Sequence, residues 1–495
     1  MQNRGIVIVG LGPGPGELLT RQAWQTLSTA ACIYLRTARH PAVADLPPDI
    51  PQISFDPIYE SATQFGEVYR QIAAAIVERA VDDVVVYAVP GHPAIGETSV
   101  SHIQAAASAA DIPVTIIAGL SFIEPTLSAL QVDGLDGLQL FDAIEIAEYL
   151  QPPLNPDVPT LLGQVYSQLL ASDLKLALNA LFPDEHQVAL VHAAGTSQAR
   201  VEWLPLYAID RSPYIDHLTS LYIPPLPQAS SLPALAETVA VLRGPHGCPW
   251  DQEQTAQSLR PDFVEEMAEV LEALDTGDNQ LLCEELGDLL FHIVIQTQIA
   301  SENGDFTLGD VIAGIEAKLK RRHPHIWGDW EVSDSSQVIR NWAALKAAEK
   351  VKKADQPHSI LDNIPHSLPA LAQSQKIQKR VRQIGFDWRD IDGVFAKLDE
   401  ERDELKRAAN KQEQQAELGD LLFVTANLAN WMKLDGETAL REANLRFNRR
   451  FRQLEALAAS QQINLAQADF DTLNQLWEEA KASLAAAHEA TEEEA

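Results

Sequence analysis

Eight carboxylates fall into two sets whose spacing suits one kind of chemistry. In EEMAE, Glu266 and Glu269 are three apart and Glu265 lies four before Glu269, so on a helix they share a face. Glu285 and Asp288 of ELGD repeat the three-residue spacing on a second helical stretch. That stretch is flanked by LCEELG and LLFHIVIQ, apolar around most of its circumference, which predicts a buried helix. A buried carboxylate needs a strong partner, and no local lysine provides one. Four converging carboxylates imply a hard divalent cation. Mg²⁺ fits, because it takes oxygen ligands in an octahedron. Further along the chain, Glu401, Glu404, Glu417 and Asp420 present the same set, with Glu400 beside them as Glu265 is beside the first.

The elements that must position these groups are duplicated. ELGDLLF stands at Glu285–Phe291 and again, unchanged, at Glu417–Phe423. EEMAE is matched by EERDE (Glu400–Glu404), and the W-x-x-x-K of Trp342/Lys346 by that of Trp477/Lys481. Three landmarks in one order, 132 to 135 residues apart, indicate a repeated helical unit. Helical periodicity dominates from about Leu235 onward. The first 225 residues read instead as α/β. IVIVGL, DVVVYAV, PVTIIAG and QVALVHA are short β-rich runs alternating with helical stretches such as Glu67–Ala80 and Thr98–Ala110. Continuous apolar strands predict a sheet covered on both faces. The expected order is an α/β domain (1–225), a Pro/Ser-rich linker (226–234) and a helical unit (235–350). A second linker (351–369), a second helical unit (370–485) and a frayed acidic tail (486–495) follow.

Composition narrows the partners. The 495 residues carry 70 acidic against 37 basic side chains, a net charge of −33, with 46% apolar residues. Cores are affordable, and a field of that sign repels nucleic acid polymers. Cys32, Cys248 and Cys283 are odd in number and far apart, which fits neither a disulfide framework nor a zinc site and predicts a reducing, cytoplasmic setting. No apolar run approaches the roughly 18 residues of a membrane span. The opening MQNRGIVIVGLGPGPG breaks into glycines after one short strand, unlike a signal or transit peptide.

The carboxylate motifs also carry a resemblance. LRGPHGCPWDQEQTAQSL (Leu242–Leu259), EEMAEVLEAL, EELGDLL and KLKRRHPHIWGDW (Lys318–Trp330) resemble, in order, the MazG family of nucleoside triphosphate pyrophosphohydrolases. KLDEERDEL, ELGDLLF, NLRFNRRF and W-x-x-x-K resemble the family's C-terminal repeat, which lacks the GCPWD and RRHPH segments. The resemblance implies all-α units that dimerise around Mg²⁺ sites and split a nucleoside triphosphate into monophosphate and pyrophosphate. Such cleavage means water attacking the α phosphorus, with metals neutralising the triphosphate. Glu265 or Glu400 would take the proton. Lys318, Arg321 and Arg322 in one unit, and Lys397, Arg446, Arg449 and Arg450 in the other, would hold phosphate, with Lys346 and Lys481 of the W-x-x-x-K pairs. Trp342 and Trp477 either stack on a base or are core aromatics. His323 and His325 either cap a helix end or touch phosphate.

The glycine loop VGLGPGPGELLT (Val9–Thr20) follows a strand and opens a helix, a weak signal by itself. With YAVPGHPAIGETSV and IIAGLSFIEPTLSALQVDGLDG it resembles the tetrapyrrole methylase family, in the branch fused to MazG. That implies S-adenosylmethionine held near Gly10, Gly12, Pro13, Gly14, Pro90, Gly91 and His92. Members usually carry an acidic turn, GPGDP. Here Pro15-Gly16 removes the carboxylate, and no general base is evident. The expected main activity is therefore Mg²⁺-dependent hydrolysis. A methyltransferase with accessory MazG units is the rival, and a nucleotide-sensing scaffold the third reading.

Overall fold

A computed structural model describes residues 4–61, 65–352, 359–362 and 364–493. The chain divides into two compact units, one ending at Ala317 and the other beginning at Lys318.

The first unit opens with a five-stranded parallel sheet. Its strands are β1 (Gly5–Gly10), β2 (Ile33–Leu35), β3 (Gln52–Ser54), β4 (Val84–Val89) and β5 (Val114–Ile117), in the order β3-β2-β4-β1-β5. Between them run α1 (Arg21–Ser28), α2 (Asp56–Ser61), α3 (Phe65–Arg79) and α4 (Thr98–Ala109). Strand alternation divides the apolar runs between two cores. Ile6, Ile8, Val85 and Tyr87 face α3 and α4, whereas Val9, Val86 and Ala88 face α1 and the 3₁₀ turn Pro41–Asp45. The sheet is thus covered on both faces, as its continuous apolar strands predict.

After α5 (Ile123–Leu130) comes a second sheet of β6 (Gln139–Asp142), β7 (Thr160–Gly163), β8 (Gln187–His192), β9 (Arg200–Pro205) and β10 (Thr219–Ile223). Its order is β6-β7-β10-β8-β9, and β10 runs antiparallel to both neighbours. Leu162, Val188, Leu190 and Leu221 bury one face against α6 (Ala143–Ile146) and α7 (Gln168–Leu178).

Beyond Ile223 the described residues contain no strand. The proline-rich joint is tied down. Asp157 accepts from the backbone N–H groups of Ser230 and Ser231, and Ser231 caps α8 (Leu232–Arg243). After α9 (Pro249–Glu253), α10 (Arg260–Thr276) packs on α11 (Asn279–Glu302). Only the C-terminal part of α11 is buried, where Val294, Ile295 and Ile299 meet Val239 of α8. The fully buried helix expected around Asp288 is therefore corrected. Asp288 is exposed, and Leu286 and Leu290 are 48% and 41% exposed, because among the described residues of its own unit α11 is covered only toward its C-terminal end.

The helices continue with α12 (Leu308–Arg322), α13 (Pro324–Trp327), α14 (Ser335–Lys352) and α15 (Ala370–Arg382). Then come α16 (Ile391–Arg407), α17 (Lys411–Trp431), α18 (Gly436–Ser460) and α19 (Phe470–Glu493). α16 packs on α17 as α10 packs on α11. α19 extends to Glu493, so most of the segment expected to be a frayed tail is helical.

Candidate metal and nucleotide centres

Each helix pair brings one carboxylate set together. One oxygen from each of Glu266, Glu285 and Asp288 lies within 4.8 Å of the others, and Glu401, Glu417 and Asp420 form the same arrangement on α16 and α17. Mg²⁺ with oxygens at about 2.1 Å places its ligand atoms no more than about 4.2 Å apart, so small rotations of these side chains suffice. Glu269 and Glu404 stand outside these tight triplets but act on them. Glu285 is raised above the usual carboxylate range by desolvation and then by Glu269, and Glu417 by desolvation and then by Glu404. Glu266 is raised by desolvation, then by Asp288 and Glu269. Mutual repulsion of this kind is what a bound cation would relieve. All the ligand atoms are oxygens, so the residues present fit a hard divalent ion.

The two centres differ in their neighbours. At the second, Lys397 Nζ lies 2.8 Å from Glu401 and 2.9 Å from Glu400, so the candidate base Glu400 is tethered and Glu401 is buried with a built-in counter-charge. The two carboxylates hold the Lys397 ammonium above its usual range. At the first, the buried His292 turns Nε2 toward Glu266 at 3.9 Å, whereas Glu265 is exposed. His292 directly follows ELGDLLF, where the repeat has Val424, and sequence reasoning passed over it.

The expected phosphate ligands are only partly free. Arg321 and Arg322 both grip Glu349, at 2.8 and 2.6 Å, and Lys318 is exposed. Trp342 carries Arg322 at 5.4 Å and Lys346 at 4.7 Å from its ring centre. Trp477, half-buried, packs on Phe447 and against the Leu454–Leu476 cluster, and Lys481 pairs with Glu478. Arg446 lies 3.6 Å from Glu442, whereas Arg449 and Arg450 have no acidic partner among the described residues. His323 Nδ1 bonds the Leu319 carbonyl at the end of α12, the helix-capping role, with His325 against it.

In the α/β region, Pro13, Pro90, Gly91 and His92 line a cavity of about 210 Å³. Gly10, Gly12 and Gly14 do not line it but set the spacing of its loops. Gly12 and Gly91 exchange backbone hydrogen bonds of 3.2 and 2.8 Å, and a Cβ on Gly10 would stand 2.6 Å from the Gly91 carbonyl. The same cavity is lined by Arg36 and Glu97, a 2.9 Å ion pair missed in the sequence because its partners lie sixty-one positions apart. Burial raises the Glu97 carboxyl in spite of Arg36. His40 hydrogen-bonds the Gly12 backbone, and burial lowers its imidazole to about 4. The carboxylate missing from the glycine turn returns from elsewhere. Asp45, ending the turn Pro41–Asp45, accepts from Gly16 N at 2.8 Å.

Family models match three successive stretches of the chain. The tetrapyrrole (corrin/porphyrin) methylase family matches residues 5–210, the MazG nucleotide pyrophosphohydrolase domain residues 254–327, and the phosphoribosyl-ATP pyrophosphohydrolase family residues 374–447. The chain is 37% identical to YabN of Bacillus subtilis (strain 168) over 492 residues, 96% of this chain and 98% of that one. It is 43% identical to a nucleoside triphosphate pyrophosphohydrolase of Escherichia coli (strain K12) over 246 residues, 48% of this chain and 93% of that enzyme. It is 40% identical to the nucleoside triphosphate pyrophosphohydrolase/pyrophosphatase MazG of Thermotoga maritima over 247 residues, 50% of this chain and 94% of that enzyme. With carboxylate centres on two helix pairs and a glycine-looped α/β domain before them in the chain, the protein belongs to the MazG nucleoside triphosphate pyrophosphohydrolases and carries an N-terminal tetrapyrrole-methylase domain.

Proposed function

We propose that the helical half is a Mg²⁺-dependent enzyme that hydrolyses nucleoside triphosphates to monophosphate and pyrophosphate. The observation that carries this reading is the recurrence of an all-oxygen carboxylate triplet at the same place on two helix pairs. Glu266, Glu269, Glu285 and Asp288, and Glu401, Glu404, Glu417 and Asp420, would hold the metal. Bound there, it would neutralise the triphosphate and acidify a water. Arg449 and Arg450 would orient the phosphates in the second unit, and Glu265 or Glu400 would accept the proton of the attacking water. We take the units to span 235–350 and 370–485 and to associate as a homodimer, since apolar residues of α10, α11, α16 and α17 are left uncovered. No nucleic acid or membrane partner is assigned. The charge of −33 opposes the first, and no helix among the described residues is long and apolar enough to cross a membrane. A reducing, cytoplasmic setting accords with three unpaired cysteines.

The test is to incubate the protein with Mg²⁺ and a panel of canonical and damaged nucleoside triphosphates, then resolve the products. Monophosphate and pyrophosphate are expected, with turnover abolished by chelator. Accumulation of diphosphate and orthophosphate would show attack at the wrong phosphorus. A second reading concerns the α/β domain. The cavity between the Gly12 and Gly91 loops favours S-adenosylmethionine binding there. Calorimetric titration with S-adenosylhomocysteine checks it, and absence of heat at millimolar ligand would leave that domain a structural module.

A further inference from the structure

In the first helical unit, the arginines expected to hold substrate phosphate already hold an anion. Arg322 Nη2 donates to Glu349 Oε2 at 2.6 Å, and Arg321 Nε to Glu349 Oε1 at 2.8 Å, so two guanidinium groups share both oxygens of one carboxylate. The Arg322 side chain is only 12% exposed and lies over Trp342, whose ring also carries Lys346. These contacts, Arg322 first, pull the Glu349 carboxyl down to about 2. It is an anion at every physiological pH. A phosphate presents the same pattern to such a fork, two negative oxygens in the plane of the N–H donors.

The internal repeat provides a control. Seven positions after Trp342 stands Glu349, whereas seven positions after Trp477 stands Leu484. Arg449 and Arg450 accordingly have no acidic partner among the described residues. One unit has its arginines filled by the chain itself, and the other leaves them open.

We propose that Glu349 is an internal stand-in for a substrate phosphate, which competes with the triphosphate for Arg321 and Arg322 and gives the first unit the weaker nucleotide affinity. The proposal rests on the hydrolase reading above and adds to it which unit fills first. A guanidinium N–H in this geometry cannot serve Glu349 and a phosphate oxygen together, so binding must displace the carboxylate. The displaced charge then stands near the arriving phosphates and opposes them. Glu349 acts through the arginines and touches no reacting atom, so its signature lies in KM and not in kcat.

The experiment uses the full chain carrying Arg449→Gln and Arg450→Gln, which removes the second unit's open arginines. Inorganic tripolyphosphate with Mg²⁺ is titrated by calorimetry with and without Glu349→Gln. Removing the charge while keeping the side chain's length should tighten binding about tenfold. Glu349→Leu, the residue of the second unit, should do at least as much, and Glu349→Asp should fall between. In steady-state hydrolysis of a nucleoside triphosphate, KM should fall by a similar factor while kcat stays within about twofold. Unchanged affinity in variants whose melting temperature matches the parent overturns the proposal. Weaker binding together with a lower melting temperature overturns it as well, because Glu349 is then a staple between helices. If the unmodified chain hydrolyses no triphosphate, the hydrolase reading fails separately, and the tripolyphosphate titration still decides the competition.

Discussion

Glu401 and Glu266 hold the same place in their triplets, yet they meet different surroundings. Glu401 is buried against Lys397, whereas Glu266 faces His292 and two like charges. Glu401→Gln and Glu266→Gln keep size and remove a charge that the metal needs. We expect the second unit to dominate, so Glu401→Gln should lower pyrophosphate release by roughly 10²-fold and Glu266→Gln by much less. The reverse order in a pyrophosphate-release assay would invert that ranking. Equal halving would show two independent units. These carboxylates were legible in the sequence because a three-residue spacing on a helix is a local property. Glu349, Asp45 and the Arg36–Glu97 pair were not, since each acts across a turn or a sheet that no spacing rule encodes. His40 gives a pH prediction of its own. Its imidazole is neutral in the folded chain down to about 4, and its Nδ1 accepts from Ala42 N. In the unfolded chain it protonates near 6.5. The unfolded state therefore binds more protons between those values, and stability is lost as pH falls from about 6.5 to about 4, by at most about 3 kcal/mol. Urea unfolding of the α/β domain at pH 7 and pH 5 should show the loss, and His40→Asn should flatten it.

At the scale of elements, the loops after β1 and β4 meet each other backbone to backbone. A Cβ on Gly10 would stand 2.6 Å from the Gly91 carbonyl and 2.7 Å from Gly119 N, neither of which is the movable end of a side chain. Gly10→Ala should therefore cost about 1–3 kcal/mol and spread the cavity loops. Weaker S-adenosylhomocysteine binding with hydrolysis intact is the expected result, measured by calorimetry and product assay on one preparation. Full binding in this variant would mean that the loops part without consequence. Three strands of the parallel sheet, β1, β4 and β5, were readable because they are continuous apolar runs, whereas β2 and β3, three residues each, are too short to give a pattern. The second sheet was read only at β8. Its β9, RVEWLP, mixes charge with apolar residues at a sheet edge, and β10 runs straight into the prolines of the joint. The helical half was readable as helix, yet its burial was misjudged. An apolar circumference says that a helix will be covered but not by which chain.

That last point sets the expectation for the whole molecule. Among the described residues α12 has no buried residue, although Ile312, Ile315 and Leu319 form a stripe at spacings of three and four, 43%, 46% and 48% exposed. A helix of 15 residues without a covered face is marginal in water, so the proposed homodimer predicts that a second copy covers it. The uncovered Leu286 and Leu290 of α11, and Leu418 and Leu422 of α17, make the same demand beside the metal centres. Scattered exposed leucines would need no account, but apolar stripes on both helix pairs are what the proposed homodimer would bury. A homodimer formed through the helical units meets that demand, since each stripe then finds a second copy. Sedimentation of the full chain at micromolar concentration should give twice the chain mass. Ile312→Glu with Ile315→Glu should shift it toward monomer, lower the melting temperature of the helical half and reduce hydrolysis, because the uncovered helices lose their packing. A double variant that stays dimeric and fully active would remove α12 from the interface. A wild-type chain that sediments as a monomer at every concentration would overturn the dimer itself.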